Sequence, residues 1–188
     1  MNLPFHNQRV HATRMALFRA KDHWDLSRMI EIPDQDRQLI RRCRFSYTRA
    51  VTSVEFLPYT PRTIDRLYLV QANDLNYAYK YSDRNALERL KIKVDTIPGA
   101  EILIVKHGLV TDTSFSNIAF YDGHRWYTPS SPLLPGTKRA YYIQHNLITE
   151  WPIKTDDLSK YRYARLINAM LDLEESNNIL INNILALP

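Results

Sequence analysis

"GLVTDTSFSNIAFYDGHRWYTPSSPLLPGTKR", residues 108–139, places an acid, Asp112, at the end of a short β-rich run, then a turn of small hydroxyl residues, then two further strand-like runs, and finally a glycine directly before a helix-like segment. The β-branched and aromatic residues of "LVT", "SNIAFY" and "HRWYT" predict strands. His107-Gly108 and Asp122-Gly123 predict two-residue hairpin turns, because glycine accepts the positive φ that such turns need. "PSSPLLPG" breaks the pattern, and Thr137 opens a helix in which Ala140, Ile143 and Leu147 recur at three and four residues. A helix that starts after Pro135-Gly136 offers its first N–H groups and the positive end of its dipole, which is a ready anion site.

Upstream of this stretch, "RLYLVQ", "NYAYK" and "EILIVK" read as strands, with a helix over 83–92 between the last two. Downstream, strands are predicted near 149–154 and 163–169, followed by a loop-rich tail. The pattern is a strand meander with few helices, which implies a mixed α+β fold rather than a doubly wound sheet.

"YAYKYSDRNALERL", residues 77–90, sets one lysine in a row of tyrosines. If residues 75–81 are extended, Tyr77, Tyr79 and Tyr81 share one side, and Asn76, Ala78 and Lys80 share the other. Ser82 or Asp83 then caps a helix from Arg84 to about Ile92, with Leu87 and Leu90 inward. Ala78 leaves volume beside the Lys80 amine, and a partly buried amine at a strand end is placed for base or nucleophile chemistry. The other reading of this stretch is a lysine that snorkels from an edge strand into water.

The first sixty residues differ in character. Residues 6–19 predict a helix with Val10, Met15 and Leu17 among its apolar positions, and a second short helix is expected at Gln35 to Arg41, after Pro33. "CRFSYT" and "VTSVEFLPY" form a hairpin that turns at Arg49-Ala50. Pro58 and Pro61 bracket "LPYTP", a linker candidate. The chain is therefore divided near residue 62, into a small N-terminal α/β domain (1–62) and a larger, mostly antiparallel β/α domain (63–188) that carries the candidate chemistry.

Composition excludes several functions. The 188 residues lack the apolar run of a signal peptide near their start and any stretch approaching ~20 apolar residues, and Cys43 is the single cysteine; a reducing cytoplasm is expected. Six histidines are scattered without metal-ligand spacing, so no metal site is expected. The net charge of +5 and "RRCRF" at 41–45 suit an anionic partner, either nucleic acid or a phosphate-bearing small molecule. Arg42 and Arg44 share a strand face, no glycine-aromatic RNA-reading motif accompanies them, and a solvated edge that resists aggregation explains them without nucleic acid.

Taken in order, these pieces resemble the class IV aminotransferases, pyridoxal-phosphate enzymes of fold type IV that include branched-chain and D-amino acid aminotransferases and aminodeoxychorismate lyase. "VTDTSFSNIAF" is similar to the family's "V-T-E" acid followed by small residues and "N-I-F". "YTPSSPLLPGTKR" resembles its "T-P" and "L-L-x-G-I-T-R", and His6 to Arg9 matches its early "H-x-x-R". Lys80 is followed four residues later by Arg84, as the cofactor lysine is followed by arginine in lyase-like members. The resemblance runs from residue 3 to about 170.

The resemblance implies a two-domain fold type IV enzyme that uses pyridoxal 5'-phosphate. Lys80 would carry the cofactor through its aldehyde and afterwards shuttle the proton at the substrate's alpha carbon. Asp112 would hold the pyridine nitrogen protonated. Arg9 and the backbone N–H groups of Thr137 and Lys138, after Gly136, would bind the phosphate, with Asn117 also on the cofactor side. "INAM", 167–170, corresponds to the segment that closes the phosphate side, which adds Asn168 and Ala169. The implied activity is transamination of an amino acid or amine, in a homodimer, with aminodeoxychorismate lyase-like release of pyruvate from a chorismate-derived substrate as the alternative. A non-catalytic scaffold that binds an anionic partner is the reading from another class. Two departures carry expectations of their own. Asp112 is one methylene shorter than the family glutamate, so its contact with the ring is either closer or weaker. Members carry a further strand and hairpin before "H-x-x-R", and this chain begins three residues before where those leave off, so either its true start lies upstream or a more open substrate pocket is expected.

Overall fold

The computed structural model describes residues 2–187. The chain divides into two compact units, one ending at Pro61 and the other beginning at Arg62.

In the first unit, helix α1 (Leu3–Phe18) has a proline in its first turn, where the missing N–H costs nothing, and stops at Arg19 in the left-handed conformation. Val10 is buried, whereas Met15 and Leu17 are exposed. A short helix α2 (Leu26–Met29) is capped by Asp25, whose carboxylate accepts the Ser27 N–H at 3.0 Å. The helix expected at 35–41 is instead a single 3-10 turn, Asp34–Asp36. Strands β1 (Arg41–Tyr47) and β2 (Val51–Pro58) pair antiparallel as the expected hairpin. Arg14 joins the parts of this unit. Its buried guanidinium lies 3.4 Å from the Trp24 ring, bonds Asp22 at 3.0 Å and donates to the Arg49 carbonyl at 2.9 Å. Trp24 in turn meets Phe45 and Tyr47 of β1 edge-on.

The second unit is built from two sheets with a helix outside each. The first sheet holds β3 (Arg66–Gln71), β4 (Ala100–Lys106), β5 (Leu109–Thr113) and β11 (Ile184–Ala186), in the order β11-β3-β4-β5. The second holds β6 (Asn117–Tyr121), β7 (Trp126–Pro129), β8 (Thr149–Trp151), β9 (Tyr163–Ile167) and β10 (Ile179–Leu180), in the order β10-β9-β6-β7-β8. Leu67, Leu103 and Val110 of the first sheet share one core with Ile118, Phe120 and Leu166 of the second. Helix α3 (Asn85–Lys91) sets Leu87 against Val70, Ile102 and Ile104 on the far side of the first sheet. Helix α4 (Thr137–Gln144) sets Tyr142 against Ala119 and Ile167 of the second. Strand β4 is thus covered on both faces, which is why "AEILIVK" lacks polar alternation.

Several expectations are corrected. The strands are not a plain meander: β3 pairs parallel with β4 after the α3 crossover, β7 parallel with β8 after α4, and β11 parallel with β3. A helical crossover returns the chain in the same direction, and so favours parallel pairing. "NYAYK" is irregular and forms no strand. His107 (φ 50) and Gly108 (φ 77) make the expected two-residue turn. The turn at Asp122-Gly123 is longer, four residues, because the Asp122 carboxylate folds back to accept the N–H groups of His124 and Arg125, both at 2.7 Å. Leu147, expected on the buried side of α4, lies beyond that helix's end and is exposed; Tyr142 is its inward residue. Among the described residues no helix is long and apolar enough to cross a membrane.

Candidate active site

Asp112, one residue before the end of β5, has its side chain almost wholly buried. Its Oδ1 accepts from Asn117 Nδ2 at 2.7 Å, and its Oδ2 accepts the Leu134 N–H at 2.9 Å. Burial pushes its pKa up to about 6, against the pull of those two donors and of the Arg139 charge. A carboxyl in this setting changes charge near neutrality.

Asn117, the first residue of β6, spends its second amide proton on the Leu134 carbonyl at 2.9 Å. Its Oδ1 sits so close to Gly136 that a β-carbon there would come within 1.9 Å of it. Gly136 has an ordinary extended conformation, so glycine is required here by close approach and not by φ. As the N-cap of α4 it brings no side chain to the first-turn N–H groups, and Thr137 behind it is buried.

The segment after β9 closes on the same place. Asn117 pairs with Ile167 in the β6–β9 ladder, so Asn168 begins one residue beyond that pair. Asn168 and Leu171 bond each other across a tight turn, and the Asn168 side chain accepts the Met170 N–H at 2.8 Å; Ala169 at the tip is exposed. Lys138 pairs with Asp172, while the Tyr142 hydroxyl accepts the Leu173 N–H at 2.8 Å and donates to Glu174 at 2.9 Å. Three contacts, one from Lys138 and two from Tyr142, therefore hold α4 to the segment that follows this turn.

Lys80 lies in the irregular segment before α3 and is exposed, so the partial burial expected of its amine is not found. The three tyrosines cluster nonetheless: Tyr77 is buried, its ring meets Tyr81 edge-on, and Tyr79 meets Tyr81 likewise. Asp83, one residue ahead of the helix N-cap Arg84, accepts the Asn85 N–H at 2.8 Å. Arg84 Nη2 donates to the Ser114 carbonyl at 2.9 Å, which connects the lysine's segment to the turn after Asp112.

Arg9 lies on α1 in the first unit, half-buried, with its guanidinium 3.4 Å from His6 Nδ1 and its pKa lowered by burial. Three further cations are engaged with neighbouring groups: Arg14 within the first unit, Arg44 with Glu55 at 3.5 Å, and Lys138 with Asp172.

Two buried groups were missed in the sequence. Glu101 on β4 is fully buried; one oxygen accepts the Ile102 N–H at 2.8 Å and the other is without a hydrogen-bond partner. Burial raises its pKa, partly offset by that N–H, Ser114, Lys91 and Arg62. An acid inside "AEILIVK" was the available signal. Arg139 on α4 is also buried, held by the Pro129 carbonyl at 2.8 Å and by Glu150; its place beside another cation, Lys138, in "TKR" concealed it.

Residues 4–173 match the amino-transferase class IV family. The chain is 33% identical over 147 residues to an uncharacterised protein of Haemophilus influenzae, covering 78% of this chain and 77% of that one. A crystal structure from Haemophilus somnus 129PT, described as a candidate 4-amino-4-deoxychorismate lyase, superposes with a TM-score of 0.79 at 31% identity, over 90% of this chain and 89% of the other. A Mesorhizobium loti structure described as a candidate amino-acid aminotransferase shares the fold, with a TM-score of 0.72 at 19% identity over 96% and 90% of the two chains.

Proposed function

Because the chain belongs to the class IV aminotransferase family, whose members work with pyridoxal 5'-phosphate, we propose that Lys80 carries the cofactor, Asp112 faces its ring nitrogen, and the start of α4 with the turn at 168–171 seats its phosphate. The residues present fit that group. The Asp112 oxygens accept from Asn117 and from the Leu134 and Leu133 N–H groups, which leaves acceptor capacity for a ring N–H as well. Glycine at the N-cap of α4 leaves the helix start unobstructed. The Lys80 amine is accessible to an aldehyde.

When bound, the cofactor supplies a ring that accepts the electron pair released at the substrate's alpha carbon. The protein's own part is proton handling and orientation. Lys80 takes the alpha proton and delivers it to its acceptor. Ionised Asp112 keeps a proton on the ring nitrogen, and its burial keeps water from competing for that contact. The observation that carries this reading is the contact chain Asp112–Asn117–Gly136, which joins an acid to a helix start that sequence alone placed 24 residues apart.

For the reaction itself, we propose elimination with release of pyruvate from a 4-amino-4-deoxychorismate-type substrate. Its support is the description of the Haemophilus somnus relative and the Lys80–Arg84 spacing. Transamination, the first expectation from sequence, is the second reading, supported by the family. Purified protein given 4-amino-4-deoxychorismate, with pyruvate read by a coupled dehydrogenase, tests the choice. Pyruvate formed in proportion to enzyme is expected. Amino transfer to a keto acid with no pyruvate release would replace this reading with transamination. A homodimer is proposed as well, and sedimentation reads it directly.

A further inference from the structure

We propose that Asn117 is a positioning residue and not a cofactor ligand: it fixes the Asp112 carboxylate and the start of α4 against each other, so that the acid and the phosphate seat are set as one piece. The inference rests on the cofactor reading above.

An asparagine amide has two protons to donate. Both are spent inside the protein, on Asp112 Oδ1 at 2.7 Å and on the Leu134 carbonyl at 2.9 Å. Leu134 returns its own N–H to Asp112 Oδ2 at 2.9 Å, which closes a ring of three residues drawn from β5, β6 and the loop before α4. The remaining group, Oδ1, fills the space above Gly136 where a β-carbon would arrive at 1.9 Å. Asn117 is itself buried, and its backbone pairs with Ile167, next to the turn at Asn168. One side chain thus touches the acid, abuts the N-cap of the phosphate-seating helix and borders the second phosphate segment.

Few side chains satisfy these contacts. Aspartate has no proton to give at neutral pH and would set a second acid against Asp112. Alanine leaves Asp112 with backbone N–H groups, those of Leu134 and Leu133, and no side-chain donor. The charged group bearing on Asp112 from outside the ring is Arg139 of α4, which is paired with Glu150 of β8. Losing the Asn117 donor therefore shifts the acid toward its protonated form, because that bond favours the ionised one. Protonated Asp112 cannot hold the ring nitrogen's proton.

Two measurements test this. In the first, apoprotein is titrated with pyridoxal 5'-phosphate across pH, and uptake is read by absorbance. Asn117→Asp, which keeps the shape, is expected to move the acid limb of uptake upward by about one pH unit or more; an unmoved limb overturns the proposal. In the second, thermal denaturation without cofactor compares Gly136→Ala in two backgrounds. The added methyl is expected to lower the melting temperature of the natural chain but to cost little once Asn117→Ala has emptied the space. Equal losses in both backgrounds overturn the proposal. If the natural protein takes up no cofactor at all, the functional reading fails, and the denaturation cycle still judges whether Asn117 sets the start of α4.

Discussion

Arg84 Nη2 donates to the Ser114 carbonyl at 2.9 Å, tying a residue four places after Lys80 to one two places after Asp112. A bond from a charged donor contributes roughly 1.5–3 kcal/mol, and the half-exposed position of Arg84 puts this one at the low end. Arg84→Ala should therefore weaken cofactor retention about tenfold. Arg84→Lys, which keeps the charge, should recover part of that. Dialysis followed by absorbance reads both.

Asp112 makes folding depend on pH in an unusual direction. Its folded pKa of about 6 lies above the ordinary value of 3.8, so between those values the folded chain binds more protons than the unfolded one. Stability from this group is complete below the unfolded pKa and is lost as pH rises through the folded one, by about 3 kcal/mol at most. Glu101, also raised by burial, adds to the same slope. Denaturant melts of apoprotein from pH 4 to 8 should show stability falling with rising pH, and the fall should be shallower in Asp112→Asn.

Arg14 is a structural residue of the first unit. Its buried guanidinium bonds the exposed Asp22 carboxylate and the Arg49 carbonyl and stacks on Trp24, so truncating it removes an ion pair, a backbone contact and the packing against the indole together. Arg14→Ala should lower the melting temperature markedly. Arg14→Lys should rescue little, since an ammonium lacks the planar face that meets the indole. In whatever Arg14→Lys protein folds, substrate KM should be unchanged; a large rise in KM would instead place Arg14 at the substrate.

The parts legible in sequence are those whose physics is local. The His107-Gly108 turn, the hairpin of β1 and β2 and the start of α4 after Gly136 each follow from a few neighbouring residues. Asp112 stood out because an acid ended a β-rich run. The parallel pairing of β3 with β4, and of β11 with β3, depends on contacts between distant segments and left no local mark. "NYAYK" alternates like a strand yet is irregular, its tyrosines packing on one another instead of on a neighbouring strand. Asn117 carried no sign of its contacts, because Leu134 and Gly136 reach it only after the chain has folded.

The central claim is that the Lys80 amine carries pyridoxal phosphate. Purified protein loaded with the cofactor should turn yellow, and borohydride should bleach it and leave a reduced adduct on the peptide containing Lys80. Lys80→Ala should give neither the colour nor the adduct. An adduct mapped to any other lysine, or colour retained by Lys80→Ala, would contradict the account.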